Sequence, residues 1–230
     1  PRMSTGLIDL DAAIGGGLPQ GRIIELYGAY SAGKTSLAYY LLSKYDMGLF
    51  IDMEGTYDEE RAILFGNVKD KLYVRRPNWG EQAFEVMLEF AEAGCPLIVV
   101  DSVPALIPRR EFESKDMEKS GGYALIASLL SRKLPKLCFL CEETGTTVVF
   151  LNQVRANIGA MLFADPYVTP GGHALKHYTS LRIQIARKQW IKHKDLGNFG
   201  QVCKIRVVKS KVCKPFMEAE IPLLFDYGFV

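Results

Sequence analysis

The sequence predicts an α/β fold with a mainly parallel central sheet, helices on its faces and antiparallel strands added at the C-terminal side. Three observations predict it. The stretch Gly28-Ala29-Tyr30-Ser31-Ala32-Gly33-Lys34-Thr35 stands between an apolar strand-like run (Ile23, Ile24, Leu26, Tyr27) and a helix-like run from Leu37 to Leu42. Strand-like and helix-like segments alternate after it, the pattern of strands joined by crossover helices. Beyond residue 180 the helical pattern stops and β-rich segments separated by turn residues take over. With 230 residues, 48% of them apolar, the chain is long enough to bury a substantial core and reads as one domain spanning 1–230.

The elements follow in order. Ser4-Thr5-Gly6, Gly15-Gly16-Gly17 and Pro19-Gln20-Gly21 mark an irregular entry segment around a short apolar helix at Leu10 to Ile14. Strands are expected at Leu49 to Asp52, Leu72 to Val74, Leu97 to Asp101 and Val148 to Asn152. Helices are expected at Asp58 to Phe65, Glu81 to Ala93 and Tyr123 to Leu134. The later strands are Ser180 to Ala186, Val202 to Val212 and Ala219 to Leu224, joined by turn-like Lys194 to Gly200 and Lys214-Pro215.

The glycine-rich stretch is a full G-x-x-x-x-G-K-[ST] loop, and its residue types answer to phosphate chemistry. Glycines let the backbone curl so that successive N–H groups point inward, and the following helix offers its positive N-terminus. A nucleoside triphosphate site is therefore predicted over Gly28, Ser31, Ala32, Gly33, Lys34, Thr35 and Ser36. Lys34 is placed to reach the β- and γ-phosphates, and Thr35 to give a hydroxyl to Mg²⁺. In a parallel sheet, ligands sit at the carboxyl ends of the strands, so polar residues ending apolar runs are the next candidates. Asp101 ends one run and would hold Mg²⁺ through water. Glu54 follows another and is able to orient and deprotonate the attacking water. Gln153 ends a third; its amide suits either a γ-phosphate contact or simple turn structure.

The net charge of +2 says nothing about a polyanionic partner, but residues 182–214 carry a local excess of +9. That excess suits phosphate, or else lysines guarding edge strands against intermolecular pairing. Five cysteines (Cys95, Cys138, Cys141, Cys203, Cys213) are odd in number and several sit in apolar runs, so reduced thiols are expected rather than disulfides. The lone Cys138-x-x-Cys141 pair lacks a second pair at metal-site spacing. No run approaches the roughly 20 apolar residues of a membrane span, and the first residues lack a signal core, so a cytoplasmic location without membrane contact is expected.

Further stretches carry a resemblance. Ser4-Thr5-Gly6, the phosphate loop, Phe50-Ile51-Asp52-Met53-Glu54, Val99-Val100-Asp101-Ser102-Val103, Leu151-Asn152-Gln153-Val154-Arg155 and Gly171-Gly172-His173-Ala174-Leu175-Lys176 occur in the order and approximate spacing of the bacterial RecA recombinases. Val207-Val208-Lys209-Ser210-Lys211 and Pro215-Phe216 fit as well. The N-Q-V-R and G-G-x-A-L-K segments are the most specific. The resemblance implies a RecA-like ATPase core that assembles as a helical filament on single-stranded DNA and pairs it with homologous duplex, using ATP and Mg²⁺. It implies that Glu54 is the catalytic glutamate, Gln153 the γ-phosphate sensor and Asp58 the adenine-contacting aspartate. Arg61, Pro215 and Phe225 fall at further nucleotide-contacting positions. Lys209 and Lys211 match lysines that reach a neighbouring subunit's ATP. DNA binding is implied for two loops, approximately Arg109 to Gly122 and Val154 to Gly172. Their candidate contacts are Arg109, Arg110, Gly122, Arg155, Asn157, Ile158, Gly159, Met161, Phe163, Gly171, Gly172 and His173.

Four positions depart from the family pattern. Arg61 replaces a tyrosine that stacks on adenine, Phe225 replaces another aromatic, Tyr30 replaces a glutamate in the loop, and His177 replaces a phenylalanine on the route between ATP and DNA. The N-terminal docking segment and C-terminal lobe of family members have no counterpart in these residues. A trimmed core and a reduced, phage-type recombinase are both compatible with that. An ATP-binding recombination mediator that forms no extended filament is the alternative function, and a hexameric helicase motor is disfavoured by the two specific segments.

Overall fold

The computed structural model describes residues 1–114, 122–156, 167–195 and 197–230. Strand β1 (Arg2–Met3) pairs antiparallel with β2 (Leu18–Pro19), with helix α1 (Ile8–Ile14) between them. The chain continues through β3 (Ile23–Gly28), α2 (Lys34–Leu42), β4 (Gly48–Asp52), α3 (Glu59–Leu64), β5 (Leu72–Arg75), α4 (Gly80–Glu92) and β6 (Leu97–Asp101). After a 3-10 turn at Val103–Ala105 come α5 (Arg109–Phe112), α6 (Gly122–Thr144) and β7 (Thr147–Gln153). Strands β8 (Arg155–Ala156) and β9 (Tyr167–Val168) form a small antiparallel ribbon, followed by α7 (Gly172–Tyr178), β10 (Leu181–His193), β11 (Gly197–Ser210), β12 (Glu218–Leu224) and β13 (Gly228–Phe229).

The main sheet has nine strands in the order β13-β12-β11-β10-β3-β7-β6-β4-β5. From β10 to β5 neighbours run parallel, and from β10 outward through β11, β12 and β13 they run antiparallel. This is the α/β architecture read from the sequence. Period-2 alternation divides the central strands between two apolar clusters. In β6, Leu97 and Val99 join α1 and α2 residues, while Ile98 and Val100 join α4 and α6 residues. Burial on both faces explains why these strands read as unbroken apolar runs.

Two predicted boundaries shift. Helix α6 runs to Thr144 rather than ending near Leu134, although Pro135 lies inside it. Leu130, Leu134, Leu137 and Cys141 are all fully buried, and their helical spacing packs one continuous stripe on the sheet. That packing offsets the hydrogen bond lost at the proline. Strand β11 begins at Gly197, inside the segment predicted as a turn. Lys192 pairs with Asn198 and His193 with Gly197, extending the β10–β11 hairpin beyond its predicted length. All five cysteines are free thiols; Cys95, Cys141 and Cys203 are buried, and burial pushes Cys95 up to about 11 and Cys141 to about 12. Among the described residues there is no metal-binding cluster of histidine, cysteine and carboxylates, and no helix long and apolar enough to cross a membrane.

Candidate nucleotide site

The loop between β3 and α2 owes its shape to its smallest residues. At Gly28 a Cβ would lie 2.0 Å from the Ile185 carbonyl oxygen of β10, so the strand-to-loop turn admits no side chain there. Gly33 caps α2 in the left-handed region at φ 100°, and Ser31 shares that region at φ 57°. Helix α2 opens without a side-chain cap, which leaves its first-turn N–H groups to an anion. Lys34 folds back on the loop, donating to the carbonyls of Gly28 (3.1 Å) and Ala29 (2.8 Å). Burial lowers its pKa, against the pull of Asp101 and Glu54, which favour the charged form.

Adjacent strand ends bring the polar candidates together. Because β3, β7, β6 and β4 are neighbours in that order, Gly28 pairs with Gln153 and Asp101 with Asp52 at their carboxyl ends, with Asp101 opposite Leu151, two residues before Gln153. Thr35 donates its hydroxyl to Asp101 at 2.8 Å. Burial raises the Asp101 pKa to about 6; the Thr35 hydrogen bond opposes this, while Glu54 adds to it. Glu54 accepts from the Ser102 hydroxyl and, at 3.3 Å, from the Gln153 amide. The turn that carries Glu54 is fixed by Asp52. Its carboxylate accepts from the Thr56 and Tyr57 backbone N–H groups (2.9 and 3.1 Å) and from Arg76 Nε (2.9 Å), while Met53 N donates to the Asp101 carbonyl (2.7 Å). Hydroxyl and carboxylate oxygens converging at a helix N-terminus form the hard donor set that Mg²⁺ takes, so Thr35 and Asp101 fit the ion implied by the loop.

A cavity of about 560 Å³ extends from these groups, with Ser31, Ala32, Gly33 and Ser36 in its wall. Asp58, Arg61, Phe225 and Trp190 line it as well. Asp58 caps α3 by accepting from Arg61 N at 3.0 Å. The Arg61 guanidinium donates to Ser36 Oγ at 3.2 Å and lies 5.5 Å from the Phe65 ring centroid. Pro215 lies in the turn after β11, outside the lining residues. Lys209 and Lys211 also lie outside the lining residues. Lys209 donates to the carbonyls of Lys176, His177 and Thr179, and Lys211 to that of His177, so both close the C-terminal end of α7. Sequence reasoning missed Tyr39, Thr56, Gln201 and Trp190 in the cavity wall and the contact of Ser102 with Glu54. Only Ser102, next to Asp101 in the sequence, carried a local signal.

The family model of the RecA N-terminal domain matches residues 1–230. The chain belongs to the RecA N-terminal domain family. It is 41% identical over 98% of its length to Protein RecA of Campylobacter hominis. It is 40% identical, also over 98%, to the Protein RecA of Rippkaea orientalis and of Staphylococcus aureus. It spans 66% of the first of these relatives and 65% of the other two.

On this RecA-family core, the candidate DNA contacts fall in three places. Arg109 and Arg110 are exposed on α5, where Arg109 lies 4.9 Å from the Trp79 ring centroid and pairs with Glu113 at 2.8 Å. Gly122 opens α6. Arg155 belongs to β8, which leaves the sheet directly after Gln153, and Gly171, Gly172 and His173 stand at the head of α7. Asn157, Ile158, Gly159, Met161 and Phe163 lie outside the described residues. The late basic cluster is partly neutralised across strands: Lys188 pairs with Glu220, and Lys204 and Arg206 with Glu218. Beneath the head of α7, Asn152 donates to Glu25 and to the Pro170 carbonyl, both at 2.8 Å, and Arg182 bonds Glu25 and Thr169.

Proposed function

We propose that this chain is an ATP-dependent strand-exchange protein of homologous recombination. On this reading it binds single-stranded DNA, pairs it with homologous duplex, and hydrolyses ATP at interfaces between copies of itself in a helical filament. The observation that carries the reading is the junction of Glu54, Gln153 and Ser102 at the cavity that Lys34 and Thr35 line. A phosphate-binding loop alone holds a nucleotide; a carboxylate oriented by two donors beside the phosphate end gives a general base for water. Bound Mg²⁺ would neutralise phosphate charge, held by Thr35 and, through water, by Asp101.

The chain's own residues do the rest. Lys34 exchanges its two loop carbonyls for phosphate oxygens, Glu54 takes a proton from the attacking water, and Gln153 turns its amide from Glu54 to the γ-phosphate. Since β8 follows Gln153 directly, a change at Gln153 is delivered to the segment proposed to hold DNA. Lys209 and Lys211 supply cations to the ATP of an adjacent copy. On this reading the work takes place in the cytoplasm. Electron microscopy with single-stranded DNA and a non-hydrolysable ATP analogue, alongside phosphate release with and without DNA, tests the reading. Helical filaments and DNA-stimulated hydrolysis support it. Monomers whose ATP turnover ignores DNA would replace it with the mediator reading.

A further inference from the structure

We infer that Trp190 is a nucleobase-contacting residue that gives the site a preference for purine nucleoside triphosphates over bare polyphosphate and over pyrimidines. This deepens the proposed function and rests on its nucleotide reading. The argument begins with strand phase. Ile183 and Ile185 of β10 face the core, opposite Val207 and Ile205 of β11, and simple alternation from them would turn position 190 to the opposite face. The ladder instead pairs Arg187 with Cys203 and Gln189 with Val202, a β-bulge that puts one extra residue into β10. After it Trp190 pairs with Gln201, and Gln201 with Leu223. The bulge therefore brings Trp190 into a row with two other cavity-lining residues.

The indole is also fixed once it is there. Its ring stands edge-to-face with Phe225, centroids 6.2 Å apart at 76°, and the Arg187 guanidinium lies 4.1 Å from its centroid. At 40% exposure it retains uncovered apolar surface in the wall of the cavity that Lys34 and Thr35 also line. With the triphosphate held on the loop, Trp190 and Phe225 are the touching aromatic rings that the same cavity offers a base, and a bicyclic purine covers more of an aromatic wall than a pyrimidine does.

The chain has two tryptophans, so a Trp79→Phe protein leaves Trp190 as the sole indole emitter. Adding Mg²⁺ and a non-hydrolysable ATP analogue should change its emission saturably, with the midpoint given by calorimetry. In the otherwise unaltered chain, Trp190→Ala should weaken ATP and GTP binding about tenfold, the scale of one lost base–aromatic contact. CTP should weaken less, inorganic tripolyphosphate should be unchanged, and Trp190→Phe should recover most of the loss. Emission indifferent to a nucleotide that calorimetry shows bound, or equal losses for ATP and tripolyphosphate, would overturn this inference alone. Failure of the unsubstituted chain to bind ATP would overturn the proposed function and this inference with it.

Discussion

Removing the arginine of the buried Glu25–Arg182 pair should destabilise the chain severely. Glu25 lies on β3 with its side chain fully buried, directly beside Arg182 of β10 in the parallel ladder. Its two carboxylate oxygens have one donor each, Arg182 Nε at 2.5 Å and Asn152 Nδ2 at 2.8 Å. Arg182 also lies 4.9 Å from the Tyr27 ring centroid. Arg182→Ala would leave a buried carboxylate with a single neutral donor, a change that costs about 3–5 kcal/mol at comparable sites. Lys209 still interacts electrostatically with Glu25 and partly offsets the lost arginine, so the lower end of that range, about 3 kcal/mol, is expected. For a chain of this size that corresponds to a melting temperature lower by roughly 6–12 °C. Urea unfolding and a thermal scan at pH 7 measure it directly. The companion Glu25→Gln/Arg182→Met, which removes both charges and keeps volume, should lose less than Arg182→Ala alone. If Arg182→Ala cost under about 1 kcal/mol, or the double replacement lost the plain sum of its parts, the pair would not be an isolated buried ion pair and the reasoning would fail.

Glu54→Gln should slow phosphate release by more than ~100-fold while leaving ATP affinity measurable by filter binding, whereas Lys34→Ala should weaken both. Lys209→Ala with Lys211→Ala should abolish DNA-stimulated hydrolysis at unchanged ATP affinity; mixing those subunits with Glu54→Gln subunits should recover activity at mixed interfaces, and a loss proportional to their fraction would argue against action on a neighbour. Arg155→Ala should weaken single-strand binding alike for all sequences and reduce its salt slope by about one unit, read by fluorescence anisotropy across a salt series. Alkylation of the native chain at pH 8 should modify Cys138 and Cys213 and spare Cys141, which is buried and whose thiol burial pushes up to about 12.

The loop side of the cavity was legible because its residues are contiguous or end recognisable apolar runs. Gly28 to Thr35, Asp101 and Glu54 each stand where a strand delivers them, and parallel neighbours bring strand ends together without further information. The wall supplied by β10, β11 and β12 was not. Trp190, Gln201 and Leu223 meet through a three-strand register, and one extra residue in β10 decides which face Trp190 takes. Alternation cannot locate a bulge. The basic cluster was only half legible for a related reason: Glu218 and Glu220, which neutralise part of it, lie on β12 and enter only through cross-strand pairing. Helix α6 was cut short because a proline reads as a terminus, and only the buried stripe on both sides of Pro135 shows why it continues.

The lysines assigned to a neighbour's ATP have a structural obligation of their own. Lys209 and Lys211 together bond three carbonyls at the end of α7, and the other end of α7 joins the proposed DNA-binding segment through Gly171 and Gly172. On the proposed reading, reaching another copy's phosphates requires the lysines to release those carbonyls, which removes the favourable cations from the helix C-terminus. Helix α7 is only seven residues long, so its terminal bonds are a large share of what holds it. Filament contact would then loosen α7 from one end while Gln153 moves the segment from the other. The Glu25–Asn152–Pro170 bonds hold the backbone between these two changes, where on that reading a shared response to ATP and DNA would have to pass.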